Sequence, residues 1–78
     1  MVEMVVWRLP HPVPPSPHAL KYRLTYVVDG ERLVGFDNER GKGDHVHIGA
    51  DEFAYQFVDV DRLIDNFQLE VEKWNSAR

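Results

Sequence analysis

Asp29-Gly30, set between two runs of alternating side chains, is the feature that most limits how this 78-residue chain can fold. Both central residues of a type I′ turn take positive φ, which suits aspartate followed by glycine and makes the pair a strong hairpin signal. Before the turn, Tyr22, Leu24, Tyr26 and Val28 alternate with Lys21, Arg23, Thr25 and Val27; after it, residues 31–37 return as the partner strand. In a strict two-residue hairpin Val28 faces Glu31, Tyr26 faces Leu33, Leu24 faces Gly35 and Tyr22 faces Asp37. The opposite face then gathers Lys21, Arg23 and Arg32 around Thr25, Val27, Val34 and Phe36. An apolar patch of that kind needs cover, and a homodimer or a second protein would supply it.

Residues 3–9 read as another strand, rich in β-branched and aromatic side chains. All five prolines follow, between Pro10 and Pro17; proline removes ladder donors, so this stretch is a connection. Phe53 to Val58 reads as a further short strand. The clearest element closes the chain. Asp59 is a good N-cap, with Val58 and Leu63 at hydrophobic-staple positions. Val60, Leu63, Ile64, Phe67, Val71 and Trp74 recur at helical spacing and form one apolar stripe. The expectation is a single α+β domain over residues 1–78. It consists of a three- to four-stranded antiparallel meander with one C-terminal helix packed across one face. Trp7 and Trp74 are assigned to packing.

Several classes are excluded early. No run approaches the roughly 20 apolar residues that cross a bilayer, and the N-terminus lacks a basic, then apolar, leader. There is no cysteine, so neither disulfides nor thiolate metal sites can staple the fold, which fits a cytoplasmic location. The net charge of −4 argues against a generic nucleic-acid binder. Residues 1–36, however, carry four cations against three acids, and the rest five against ten. A basic surface would therefore draw on Lys21, Arg23 and Arg32, joined by Arg40 and Lys42.

The segment Asn38-Glu39-Arg40-Gly41-Lys42-Gly43-Asp44-His45-Val46-His47-Ile48-Gly49 contributes little to a core and concentrates titratable groups. It reads as a polar loop with several chemistries open to it. Glycines beside Arg40 and Lys42 permit close approach to a phosphate, although the lysine-then-hydroxyl ending of a nucleotide P-loop is missing. His45 and His47 project to one side if the segment is extended, with Asp37 or Asp44 as oxygen donors to a metal. Without a third fixed ligand no metal is assigned, and no cofactor is expected. Metal-free RNA cleavage needs a base, an acid and a cation at the phosphate. His45 and His47 with Lys42 or Arg40 fit those roles, assisted by Tyr22 or Tyr26. On composition alone the plain reading is stronger: a glycine-rich turn whose histidines hydrogen-bond locally to Asp37 or Asp44.

Tyr22-Arg23-Leu24-Thr25-Tyr26, then Phe36-Asp37-Asn38-Glu39-Arg40-Gly41-Lys42-Gly43-Asp44-His45-Val46-His47, then Tyr55-Gln56-Phe57, together resemble a bacterial family. It is the TumE-type toxin component of type II toxin–antitoxin pairs, and the similarity runs from Val5-Val6-Trp7 to Val71-Glu72-Lys73-Trp74. The resemblance implies a small cytoplasmic toxin, silenced by a helix-turn-helix antitoxin and acting on RNA as a metal-independent endoribonuclease or an RNA binder. Carried over, the motif residues are Asp37, Asn38, Glu39, Gly41, Lys42, Gly43, Asp44, His45 and His47. Two departures weaken the transfer: Val46 stands where relatives often carry arginine, and the chain begins late. The catalytic candidates are thus His45, His47, Lys42, Asp44 and Tyr22. The RNA-contacting candidates are Arg40, Lys42, Lys21, Arg23 and Arg32. The alternative is a non-catalytic interaction module, or an inactive homologue, in which the central loop is structural.

Overall fold

The computed structural model describes residues 1–39 and 41–76. Five strands, β1 (Val2–Arg8), β2 (Leu20–Val28), β3 (Glu31–Glu39), β4 (Gly43–Ile48) and β5 (Asp51–Ala54), precede one helix, α1 (Val60–Ser76). The strands pair antiparallel in chain order, an uninterrupted meander. The α+β class and the helix are as expected, but the sheet has five strands, not three or four. The extra strand comes from the segment read as a loop. Gly43–Ile48 pairs with β3, while the strand expected over 53–58 survives only as the end of β5.

The hairpin forms where Asp29-Gly30 places it, with φ of 52° and 77°. Its register is not the strict one. Val28 pairs with Glu31 and Val27 with Arg32, but Tyr26 pairs with Val34 and Leu24 with Phe36. Leu33 is therefore an extra residue in β3, a β-bulge, and its carbonyl accepts the N–H of Gly49 at 2.9 Å. One inserted residue moves everything beyond it to the other face. Val34 and Phe36 accordingly join Tyr22, Leu24 and Tyr26 beneath the helix. The expected apolar patch on the second face is absent, and with it that argument for a homodimer.

The helix starts as its sequence dictates. Asp59 Oδ1 accepts the N–H of Arg62 at 2.7 Å, and the Asp59 carbonyl accepts the first helical bond from Leu63 at 3.0 Å. Val58, at 59% exposure, gives Leu63 little of the expected staple. Leu63 and Phe67 are buried against Tyr22, Leu24, Val34, Phe36 and Val46, with Ile64, Val71 and Trp74 packed at the margin. Burying side chains such as Leu24, Val34 and Leu63 is worth about 1.5–3 kcal/mol each, and this layer holds the domain together. The Phe36 ring meets Phe67 and Tyr55 edge-on, at centroid distances of 6.1 and 5.0 Å. No helix among the described residues is long and apolar enough to cross a membrane.

Candidate functional site

Side chains alternate along a strand, so residues between the buried positions of β2, β3 and β4 point away from the helix. That rule collects Lys21, Arg23, Asp37, His45 and His47 on the uncovered face. Asp37 lies opposite His45, the side-chain-free Gly35 lies opposite His47, and Glu52 of β5 lies opposite His47 on its other flank. Arg32 folds over Gly35, where a Cβ would come within 3.1 Å of its Cδ.

At the centre, His45 Nε2 approaches Asp37 Oδ1 to 2.5 Å and His47 Nε2 lies 4.0 Å from the same oxygen. The two imidazoles meet edge-on with centroids 4.9 Å apart. His45 Nδ1 lies 3.0 Å from the Gly43 carbonyl; a carbonyl only accepts, so that nitrogen carries the proton. His47 Nδ1 sits 3.5 Å from Glu52, which is itself bridged to Lys42 at 2.9 Å. Close as they are, His45 Nε2 and Asp37 Oδ1 do not meet in hydrogen-bond geometry. Both atoms are shielded from water without a hydrogen-bond partner.

The environment tunes the outer groups. Burial, then the positive field of Arg32, pushes the His47 pKa below the ordinary histidine value, so this imidazole is neutral at pH 7. The hydrogen bond from Lys42 holds the Glu52 carboxyl below its usual range, and the same bond holds the Lys42 ammonium above its own.

The sequence-based candidates divide between two faces. His45, His47 and Lys42 are brought together on the uncovered one. Asp44 and Tyr22 alternate to the helix side and join a different cluster, so they do not contribute to the histidine site. There Asp44 accepts the Ser16 hydroxyl at 2.9 Å and His18 Nε2 at 2.9 Å. The N–H of Leu20 occupies His18 Nδ1 at 3.2 Å, which fixes Nε2 as the donor. His18 also packs against Phe57, with ring centroids 4.0 Å apart and planes tilted by 34°, while Asp44 ties the proline-containing connection to the sheet. Tyr22 is fully buried. Burial and nearby Asp44 raise its pKa, yet its hydroxyl makes no hydrogen bond to Asp44 or any other group. A phenol so placed stays protonated and cannot serve as a base.

Three of the cations have partners. Lys21 donates to the Asn38 carbonyl, Arg23 meets Glu3 at 3.0 Å, and Lys42 meets Glu52. Arg40 lies outside the described residues. Trp7, assigned to packing, is instead 49% exposed. It lines a depression of about 530 Å³ with Val5, Lys21, Arg23, Asp37 and Glu39. Sequence reasoning gave Asp37 only a supporting part and overlooked Glu52, Ser16 and His18. For Glu52 the missing signal was the β4–β5 pairing. Nothing local in the proline-rich stretch marks Ser16 or His18.

No curated protein and no solved structure gives a significant match to the chain. A family model described as Toxin TumE, by contrast, matches residues 1–75, nearly the whole sequence. The chain belongs to the TumE toxin family.

Proposed function

We propose that this TumE-family chain is the toxin of a type II toxin–antitoxin pair and acts on RNA at the uncovered face of its sheet, in the cytoplasm. One observation carries the reading: Asp37, His45 and His47 converge on the face the helix leaves open, beside a depression that joins Trp7 to Lys21 and Arg23. An exposed indole offers a stacking surface to an unpaired base, and flanking cations meet the backbone phosphates. His47, neutral at pH 7, is suited to take the 2′-hydroxyl proton during strand cleavage. Lys42, Lys21, Arg23 and Arg32 would offset charge gathering on the phosphate, and Arg40 would add to them. His45, deeply buried and tied to Gly43, does not itself meet substrate. The partner is a small helix-turn-helix antitoxin, as the family resemblance implies.

The pairing of Arg23 with Glu3 and of Lys42 with Glu52 favours a second reading, a charge-balanced surface that binds protein without chemistry. Induced expression in bacteria, scored by growth and RNA integrity, separates the two. Wild type is expected to arrest growth and degrade RNA, and His47→Ala to do neither. Tyr22→Phe, altered on the other face, is expected to keep both effects. Growth arrest with intact RNA would remove the nuclease reading. Equal arrest by wild type and His47→Ala would leave the interaction reading.

A further inference from the structure

One coordinating atom from each of Asp37, His45 and His47 lies within 4.8 Å of the other two. What stands behind each histidine decides which atom that is. His45 gives its Nδ1 proton to the Gly43 carbonyl, leaving Nε2, 2.5 Å from Asp37 Oδ1, as the ring nitrogen available to a metal. His47 turns Nδ1 toward Glu52, which likewise leaves Nε2 for the centre of the cluster. Histidines that bind metals almost always have the second ring nitrogen held by a carbonyl or carboxylate. His45 is held in this way by the Gly43 carbonyl, and His47 Nδ1 lies 3.5 Å from the Glu52 carboxylate, near it but not hydrogen-bonded.

The second observation is the unpaired contact. The His45 side chain is 4% exposed, and neither its Nε2 nor Asp37 Oδ1 has a hydrogen-bond partner. Two acceptor atoms 2.5 Å apart repel, and a buried polar atom without a partner costs about 1–3 kcal/mol. A cation between them would remove both penalties. A proton on Nε2 would neutralise the pair, but the N–H direction does not point at the carboxylate. A proton also leaves the convergence of His47 unexplained.

We infer that Asp37, His45 and His47 form a site for one divalent transition-metal ion of the zinc class, its remaining coordination positions open toward the uncovered face. Two imidazoles and one carboxylate suit zinc, cobalt or nickel and not the all-oxygen shells of magnesium or calcium. Three protein ligands with an open position is the arrangement of a reactive site, not a purely structural one. Bonds of about 2.0–2.2 Å put neighbouring ligand atoms about 2.9–3.4 Å apart. The Asp37–His45 contact must therefore open, and the Asp37–His47 separation close, from 2.5 and 4.0 Å, each by about 1 Å at most. The three donor atoms, all within 4.8 Å of one another, must draw together by small side-chain adjustments. The inference concerns what these side chains hold and stands whether or not RNA is the substrate. If it is, the ion would supply Lewis-acid chemistry at the phosphate, and His47, as one of its ligands, would not be the base.

The test uses the full chain, stripped with a chelator and titrated with zinc chloride in a calorimeter, with far-UV circular dichroism as the check of folding. Wild type should bind one zinc ion per chain, and the cobalt(II) form should show visible absorption bands from nitrogen and oxygen ligands. Asp37→Asn and His47→Ala should abolish both signals. Glu52→Gln changes an exposed residue and keeps every direct ligand, so it should fold and bind zinc about 10–100-fold more weakly. Failure of folded wild type to saturate at one zinc would overturn the proposal. So would unchanged affinity in Glu52→Gln, or binding retained by Asp37→Asn and His47→Ala together, which would place the ion on His11 or His18. Zinc binding by a chain that leaves RNA intact would sustain this inference and remove the nuclease reading alone.

Discussion

Asn38→Ala is the perturbation that best tests how the fold presents its site. Asn38 belongs to the family motif, so loss of activity on its removal would ordinarily be credited to chemistry. Its surroundings say otherwise. At 2% exposure, its Oδ1 accepts the N–H of Tyr22 at 3.0 Å and its Nδ2 donates to the Leu20 carbonyl at 2.8 Å. The β2–β3 pairing stops at Arg23 and Asp37, and beyond that point the asparagine side chain stands in for the missing backbone partner of β2. Alanine would strand one donor and one acceptor of the main chain away from water. Each stranded group costs about 1–3 kcal/mol; the third contact, to Ser16 at 3.4 Å, is long and adds little. The expected loss is therefore about 2–6 kcal/mol. A chain of 78 residues has about 4–12 kcal/mol to lose, at roughly 0.05–0.15 kcal/mol per residue. With a urea m-value near 1 kcal/mol/M for a small domain, the unfolding midpoint should fall by about 2 M or more. Equilibrium urea denaturation followed by far-UV circular dichroism reads it directly. Any loss of toxicity should then follow the unfolded fraction, and low temperature should restore it. A midpoint shift under about 0.5 M would refute the accounting and return Asn38 to the list of functional residues.

Two further outcomes follow from single groups. Gly43→Ala should destabilise clearly more than Gly41→Ala. Both glycines have positive φ, 75° and 87°, but a Cβ on Gly43 would lie 2.9 Å from Pro15 Cγ while one on Gly41 meets nothing within 4 Å. The left-handed conformation alone costs about 1–2 kcal/mol, so thermal or urea midpoints of the pair isolate the clash with Pro15. For His47, the folded pKa lies below the unfolded value, so the unfolded chain takes up the proton first as pH falls. Stability contributed by the neutral imidazole should be full above pH 6.5 and decline in the window below it, until the folded pKa is passed. His47→Gln should flatten that part of the stability–pH curve, and an unchanged slope would show that the pKa shift is absent.

The readable parts of this molecule were those set by local chemistry. Asp29-Gly30 fixed a hairpin because few other pairs tolerate that turn. Asp59 and the stripe from Val60 to Trp74 set the helix and the side it buries. The β-bulge at Leu33 was illegible because nothing in Leu33 itself marks an extra residue. The choice between registers lies in burying Val34 and Phe36 under a helix formed thirty residues later. The strand Gly43–Ile48 was hidden for a related reason. Only Val46 and Ile48 are apolar within it, and its partners are supplied by neighbours on both sides, so no periodic signal rises above its glycines and charges.

Recognising that strand changes the meaning of the motif within it. Alternation sends Asp44 to the helix side, where it fastens Ser16 and His18, and sends His45 and His47 to the open side with Asp37. Consecutive motif residues therefore do unlike work. Substituting Asp44 should loosen the proline-containing connection and lower stability. Substituting His47, which is partly exposed and opposed by glycine, should spare the fold and remove whatever the open face does. Asp37 carries both duties, as the shared neighbour of two imidazoles and as the last paired residue of the β2–β3 ladder. A motif laid along a strand cannot be assigned to a single active site by its contiguity, because each step of one residue crosses the sheet.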